Sequence, residues 1–195
     1  VEIETLERLE NPEVIEKIVN ARIQEKEDDK TKNAATICSS NESPKLISKH
    51  IDVRENQRGI SYKYLFGDYM RTAKKMTLID PFIRAVFQID NLVDLIRTFV
   101  ESVDDTEGIQ IEIHTTYESE EKRLVTEENL KQIRDDLARY SVEFSYAFDA
   151  DHDRSISFDN GWRMILSRGI DIFEKFDRFS LSNQRQELRR CRAFS

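Results

Sequence analysis

KMTLIDPFIR, residues 75–84, changes character in the middle. Residues 75–80, KMTLID, form a short β-prone run. Asp80-Pro81 then ends the strand and opens a helix: proline has the φ of a first helical turn and no N–H to lose, and aspartate is a good N-cap. The helix is expected to run to about Ser102, with Ile89, Leu92, Val93, Ile96 and Val100 as its buried stripe. A strand turning directly into an amphipathic helix is the beginning of an α/β unit.

The flanking segments repeat this order. Residues 60–75 put Ile60, Tyr64, Leu65, Tyr69 and Met70 on one helical face. IQIEIHTTY, 109–117, alternates apolar and polar residues as a half-covered strand does. TEENLKQIRDDLARYS, 126–141, reads as a helix with acids in its first turn and Leu130, Ile133, Leu137 and Tyr140 inward. VEFSYAFD is a second alternating strand. SISF and WRMIL read as a hairpin across Asp159-Asn160-Gly161, a turn sequence that tolerates positive φ. RGIDIFEKF is a short helix or loop, and the tail RFSLSNQRQELRRCRAF a candidate edge strand. Together these predict an α/β domain with a mixed sheet flanked by helices on both faces.

The domain is expected to begin near Gly59. Before it, residues 10–27 read as a helix capped by Asn11, with Pro12 at the first helical position. Residues 28–58 are polar and without period, so 1–58 reads as an N-terminal helix and linker. The chain opens on Val1, as a piece of a longer polypeptide would.

Charged residues make up 35% of the 195 and the net charge is -8, which does not advertise nucleic-acid binding by bulk charge. Nucleic acid stays open only through a local basic patch, and the last 35 residues are rich in arginine. Two distant cysteines read as free thiols of a reducing compartment, so cytoplasm is the default. Three histidines without zinc spacing call for no metal, and nothing calls for a cofactor.

The chemistry-bearing stretch is HDRSISFDNGW, 152–162. If it is extended, His152 and Arg154 project from one face. A guanidinium beside an imidazole is a plausible phosphate pocket, and Asp159 is a candidate to fix the histidine tautomer. Arg84, after the strand end at Asp80-Pro81, is a candidate phosphate contact, since helix N-termini at strand ends attract anions. Asp80 reads as a helix cap, Trp162 as core packing, and Asn160 and Gly161 as turn residues.

The spacing His152-x-Arg154-x4-Asp159 resembles the phospholipase D signature, with arginine where lysine is usual. SYKYLFGDY (61–69), LIDPFIR (78–84), HDRSISFDNGW (152–162), SRGIDIF (167–173), RFSL (178–181) and LRRC (188–191) follow in one order. Together, over residues 59–194, they resemble the phospholipase D-like C-terminal domain of the MIT-domain-containing, ESCRT-III-associated protein family. The resemblance implies a phospholipase D-like α/β fold, a homodimer, and phosphoinositide or membrane binding at an anionic phospholipid surface. Arg168, in SRG, resembles a family segment that flanks the pocket. Residues 1–58 are too short for the three-helix MIT bundle that recruits ESCRT-III tails, which puts the ESCRT-III partnership in doubt.

True phospholipase D enzymes bring two such motifs together, one histidine attacking phosphorus and the other protonating the leaving group. This chain has one. Two readings follow. The first is a degenerate phosphate- or phospholipid-binding or assembly module, cytoplasmic and peripheral at membranes, holding its ligand with Arg84, His152, Arg154 and Arg168. The second is a homodimeric phosphodiesterase acting on lipid or nucleic acid, with His152, Arg154 and Asp159 catalytic and His152 supplied by both subunits.

Overall fold

A computed structural model describes residues 51–175 and 185–192. The expected helix at 10–27, most of the linker and the RFSL block lie outside the described residues. The element order is α1 (Tyr62–Met70), β1 (Lys75–Ile79), α2 (Val86–Ser102), β2 (Gln110–His114), α3 (Glu120–Ala138), β3 (Glu143–Ala147), β4 (Ser155–Phe158) and β5 (Arg163–Ile165), with a short 3-10 turn at Gln186–Leu188. The strands form one mixed sheet in the order β3-β2-β1-β4-β5. β1 pairs parallel with β2, and β2 with β3. β4 runs antiparallel to β1, and β5 antiparallel to β4.

The register places Met76, Leu78, Ile111, Ile113, Phe144, Ile156 and Phe158 on one face, all buried in one core with Leu92, Leu95, Phe99 and Leu130 from the helices. The opposite face carries Lys75, Thr77, Glu112, His114, Glu143, Ser145 and Ser157. The expectation of helices on both faces is therefore corrected. The two crossovers, β1–α2–β2 and β2–α3–β3, step the same way across the sheet. Right-handed connections that step the same way put both helices on the same side. α1 packs on α2 and joins that layer.

Two helix starts and one helix face differ from expectation. Residues 81–84 form turns, and α2 begins at Val86 behind the N-cap Ala85. Gln88 takes the capping role: its Oε1 accepts the N–H groups of Arg84 and Ala85 at 3.0 and 2.9 Å. α3 starts six residues before Thr126, because Ser119 is its cap and accepts from the Lys122 N–H at 3.3 Å, with Glu120 and Glu121 behind it. Such acids favour a helix N-terminus. α1 buries Tyr62 and Phe66 and leaves Tyr64 exposed, so its inward face is rotated from the expected one.

The tail provides an isolated bridge, Phe173 to Cys191, in place of a full edge strand. Arg189 anchors it. Its guanidinium is 3% exposed, pairs with Asp94 at 2.7 Å and donates to Asn91 on α2 at 3.4 Å. The segment before α1 is fastened to the same tail: the Asn56 N–H donates to the Cys191 carbonyl, and the Gly59 N–H to that of Glu187.

Candidate functional site

β1 ends in the middle of the sheet, at the point where the chain leaves toward β2 on one side while β4 lies on the other. Crevices form at such switch points of α/β sheets. The first residue past the strand is Asp80, whose side chain is buried. Its Oδ1 accepts the Phe82 N–H at 3.0 Å, folding the chain into a tight turn, and its Oδ2 accepts the Ile170 N–H at 3.0 Å. Burial pushes its carboxyl above the usual aspartate range, against the opposing pull of the Ile170 and Phe82 N–H groups and of Arg154. Asp80 is thus a turn-former and a cross-link between loops, and it does not cap α2.

The loop it holds is SRGID, 167–171. Gly169 has φ +63°, and a Cβ there would lie 1.8 Å from Asp80 Oδ2. Glycine at this position is what lets the carboxylate reach the next N–H. The carbonyl of Ile170 is held as well, by the hydroxyl of the fully buried Tyr62. Burial raises the phenol's pKa well above its ordinary value, so it stays protonated and donates. One residue on, Asp171 Oδ2 accepts from Gln88 Nε2 at 2.8 Å and Oδ1 from Asn91 Nδ2 at 3.1 Å.

Arg154 immediately precedes β4. Its backbone carbonyl accepts the Leu166 N–H, and its Nη1 donates to the Ser167 carbonyl at 3.1 Å. The guanidinium lies over the Phe82 ring, 4.1 Å from the centroid, a distance suited to a cation–π contact. Opposite, the tail brings in Arg192. Its N–H donates to the Ile172 carbonyl at 2.9 Å, and its guanidinium lies 5.9 Å from the Phe87 centroid.

These pieces enclose a pocket of about 440 Å³ lined by Phe82, Gln88, Arg154, Ser167, Arg168, Asp171 and Arg192. Three guanidiniums face one carboxylate, and that carboxylate already accepts from two amides.

Of the residues marked in the sequence, Arg154 and Arg168 line this pocket. Arg84 sits beside it, 5.2 Å from the Phe82 centroid. Each of its three nitrogens donates to a protein acceptor: Nε to the Pro81 carbonyl, Nη1 to Glu118 and Nη2 to Thr116. His152 is exposed and outside the lining. β4 begins only at Ser155, so the alternation argument that pairs His152 with Arg154 does not reach these residues.

Asp159 lies at the far end of β4. Its Oδ1 accepts the Lys74 and Lys75 N–H groups at 2.9 and 3.1 Å, tying the hairpin turn to the start of β1. The length of β4 separates it from Arg154, about 16 Å at the usual rise per residue. Asn160 reinforces that end by donating to the Tyr69 carbonyl and the Thr72 hydroxyl. Trp162 packs edge-on against Tyr69 at 4.8 Å, the core role expected for it.

Residue-by-residue reading missed Phe82, Gln88, Asp171 and Arg192. Phe82 and Asp171 stand inside the quoted blocks LIDPFIR and SRGIDIF, so a signal was present. Arg192 follows LRRC, and only the docking of Arg189 shows where it goes.

A mixed sheet with one helical layer and an arginine-lined crevice at its switch point defines an α/β domain with a candidate site at the strand ends. The family described as the phospholipase D-like domain at the C-terminus of MIT matches residues 59–195. The mouse protein called MIT domain-containing protein 1 is 31% identical over 147 residues, 73% of this chain. The chain belongs to that family. It spans 58% of the mouse protein's length.

Proposed function

We propose that this domain is a recognition or assembly module for phosphate-bearing ligands, foremost the headgroups of anionic phospholipids, and that it acts without chemistry of its own. The supporting observation is the convergence of Arg154, Arg168 and Arg192 on one pocket. Guanidiniums stay charged and match phosphate oxygens as planar forks. Phe82 in the pocket wall, 39% exposed, and Val86 at the first position of α2, 59% exposed, are apolar groups that a bilayer interface accommodates. A homodimer at a membrane surface would present two pockets and gain in avidity.

The test is co-sedimentation with phosphatidylcholine vesicles, with and without phosphatidylserine or a phosphoinositide, alongside calorimetry with free pyrophosphate. Capture by anionic but not by neutral vesicles, with binding of free pyrophosphate by the same pocket, both weakened about tenfold in Arg154→Ala, is the expected result. Binding of pyrophosphate without capture by vesicles would assign a soluble phosphate ligand, and binding of neither would overturn the reading.

One observation favours the phosphodiesterase reading: His152 is exposed, two residues before Arg154. Turnover of bis-p-nitrophenyl phosphate that disappears in His152→Ala would establish it. Turnover equal to that variant's background would remove it.

A further inference from the structure

We propose that Asp80 is the positioning residue of the arginine pocket: one carboxylate sets the two loops that form its walls. The inference rests on the reading of the pocket as a phosphate site. The two oxygens are divided. Oδ1 fixes Phe82, the platform under Arg154, and Oδ2 fixes Ile170, in the loop that carries Ser167, Arg168 and Asp171. The Ser167 carbonyl in turn holds the Arg154 guanidinium, and Asp171 holds Gln88. Every lining residue but Arg192 therefore traces its place to Asp80, directly or through one or two contacts.

Gln88 and Arg154 also span the two loops, Gln88 between the Arg84 and Ala85 N–H groups and Asp171, Arg154 between the Phe82 ring and the Ser167 carbonyl, but among the described residues Asp80 alone holds the Phe82 and Ile170 N–H groups together. The Tyr62 hydroxyl holds only the Ile170 carbonyl and leaves Phe82 untouched. Gly169 keeps the route open, since any side chain there meets the carboxylate. Asp80 touches no ligand in this account. It acts through Phe82 and Arg168, by keeping Arg154 and Arg168 at a fixed separation before a ligand arrives. Preorganised charges bind more tightly than charges that must be gathered.

The groups facing Asp80 are Arg154 at the start of β4, Asp171 on the pinned loop and Tyr62 on α1. An Asp80→Asn side chain keeps one acceptor oxygen and turns the other toward an N–H as a donor. One of the two loops must then let go.

The experiment combines calorimetry with pyrophosphate and backbone amide spectra of the wild type, Asp80→Asn and Gly169→Ala. In both variants the expected result is at least a tenfold loss of affinity. The Phe82 or Ile170 amide, with its loop neighbours, should shift and exchange faster, while amides of β2 and β3 stay in place. Wild-type affinity in Asp80→Asn, or unmoved Phe82 and Ile170 amides, would overturn the proposal. If the variants do not fold, a wild-type acid titration decides. The Phe82 and Ile170 amides should then move together with one midpoint, and independent midpoints would overturn the shared clamp. If wild type binds no pyrophosphate, the phosphate reading fails for that probe, and the amide data still decide whether Asp80 sets both loops.

Discussion

Arg154 and Asp159 sit five residues apart in one motif and do unrelated work. Arg154 lies over Phe82 and lines the pocket. Replacing it by alanine should lower the affinity for anionic vesicles about tenfold, the scale of one charge-assisted contact. Arg154→Lys should recover only part, because an ammonium has neither the flat face nor the fork. Asp159→Ala should leave binding intact and lower stability by about 1 kcal/mol in urea unfolding, since two exposed N–H groups at the start of β1 exchange their acceptor for water. Asp80 gives a pH signature of the opposite sign to most carboxylates. Its folded-state pKa is raised above the unfolded value, so the folded domain holds that proton more tightly. The contribution is most favourable at low pH and declines as pH rises from the ordinary aspartate value through the raised one. Denaturation curves of wild type and Asp80→Asn across that window should differ by this downward slope.

At the level of elements, the sequence marked every strand to within a residue or three. Period-two alternation is unambiguous in QIEIH and EFSYA, and Asn160-Gly161 fixed the hairpin. Helix starts were harder to read. Thr126 and Asn129 look like a cap, yet Ser119 with two following glutamates captured the helix first. Ser119→Ala should therefore destabilise the domain by about 1 kcal/mol in thermal unfolding, while Thr126, buried and donating to the Lys122 carbonyl, is no cap at all. Asp80-Pro81 carries the chemistry of a helix start but makes a turn, because its carboxylate finds a partner ninety residues along the chain. That partner cannot be seen in local sequence. The same holds for the site: Arg154 was legible from its motif, while Arg192 depends on where Arg189 docks.

The whole molecule divides its charge. Among the described residues most of the acid lies in loops and on α3, and the arginines of the tail are sorted. Arg189 is buried against Asp94, Arg190 pairs with Glu174 at the surface, and Arg192 faces the pocket. Arg189→Ala should cost about 2 kcal/mol, less than the breaking of an isolated buried pair, since Asp94 keeps Arg97 at 3.0 Å while the tail loses its buried anchor. It should also weaken vesicle binding by freeing the segment that delivers Arg192. Raising sodium chloride through the range where the Debye length shrinks below about 10 Å should weaken the vesicle interaction, as expected for a pocket that works by charge in an acidic protein.

β4 also acts as a ruler. The four residues between Arg154 and Asp159 are the strand itself, with one motif residue at each tip. Their number is therefore set by the span of the sheet at that point. Removing a single residue would exchange inward and outward along the strand, driving Ser157 toward the place of Ile156 or Phe158. A domain of this design can lose its chemistry and still keep the spacing of its motif, because the architecture counts the residues.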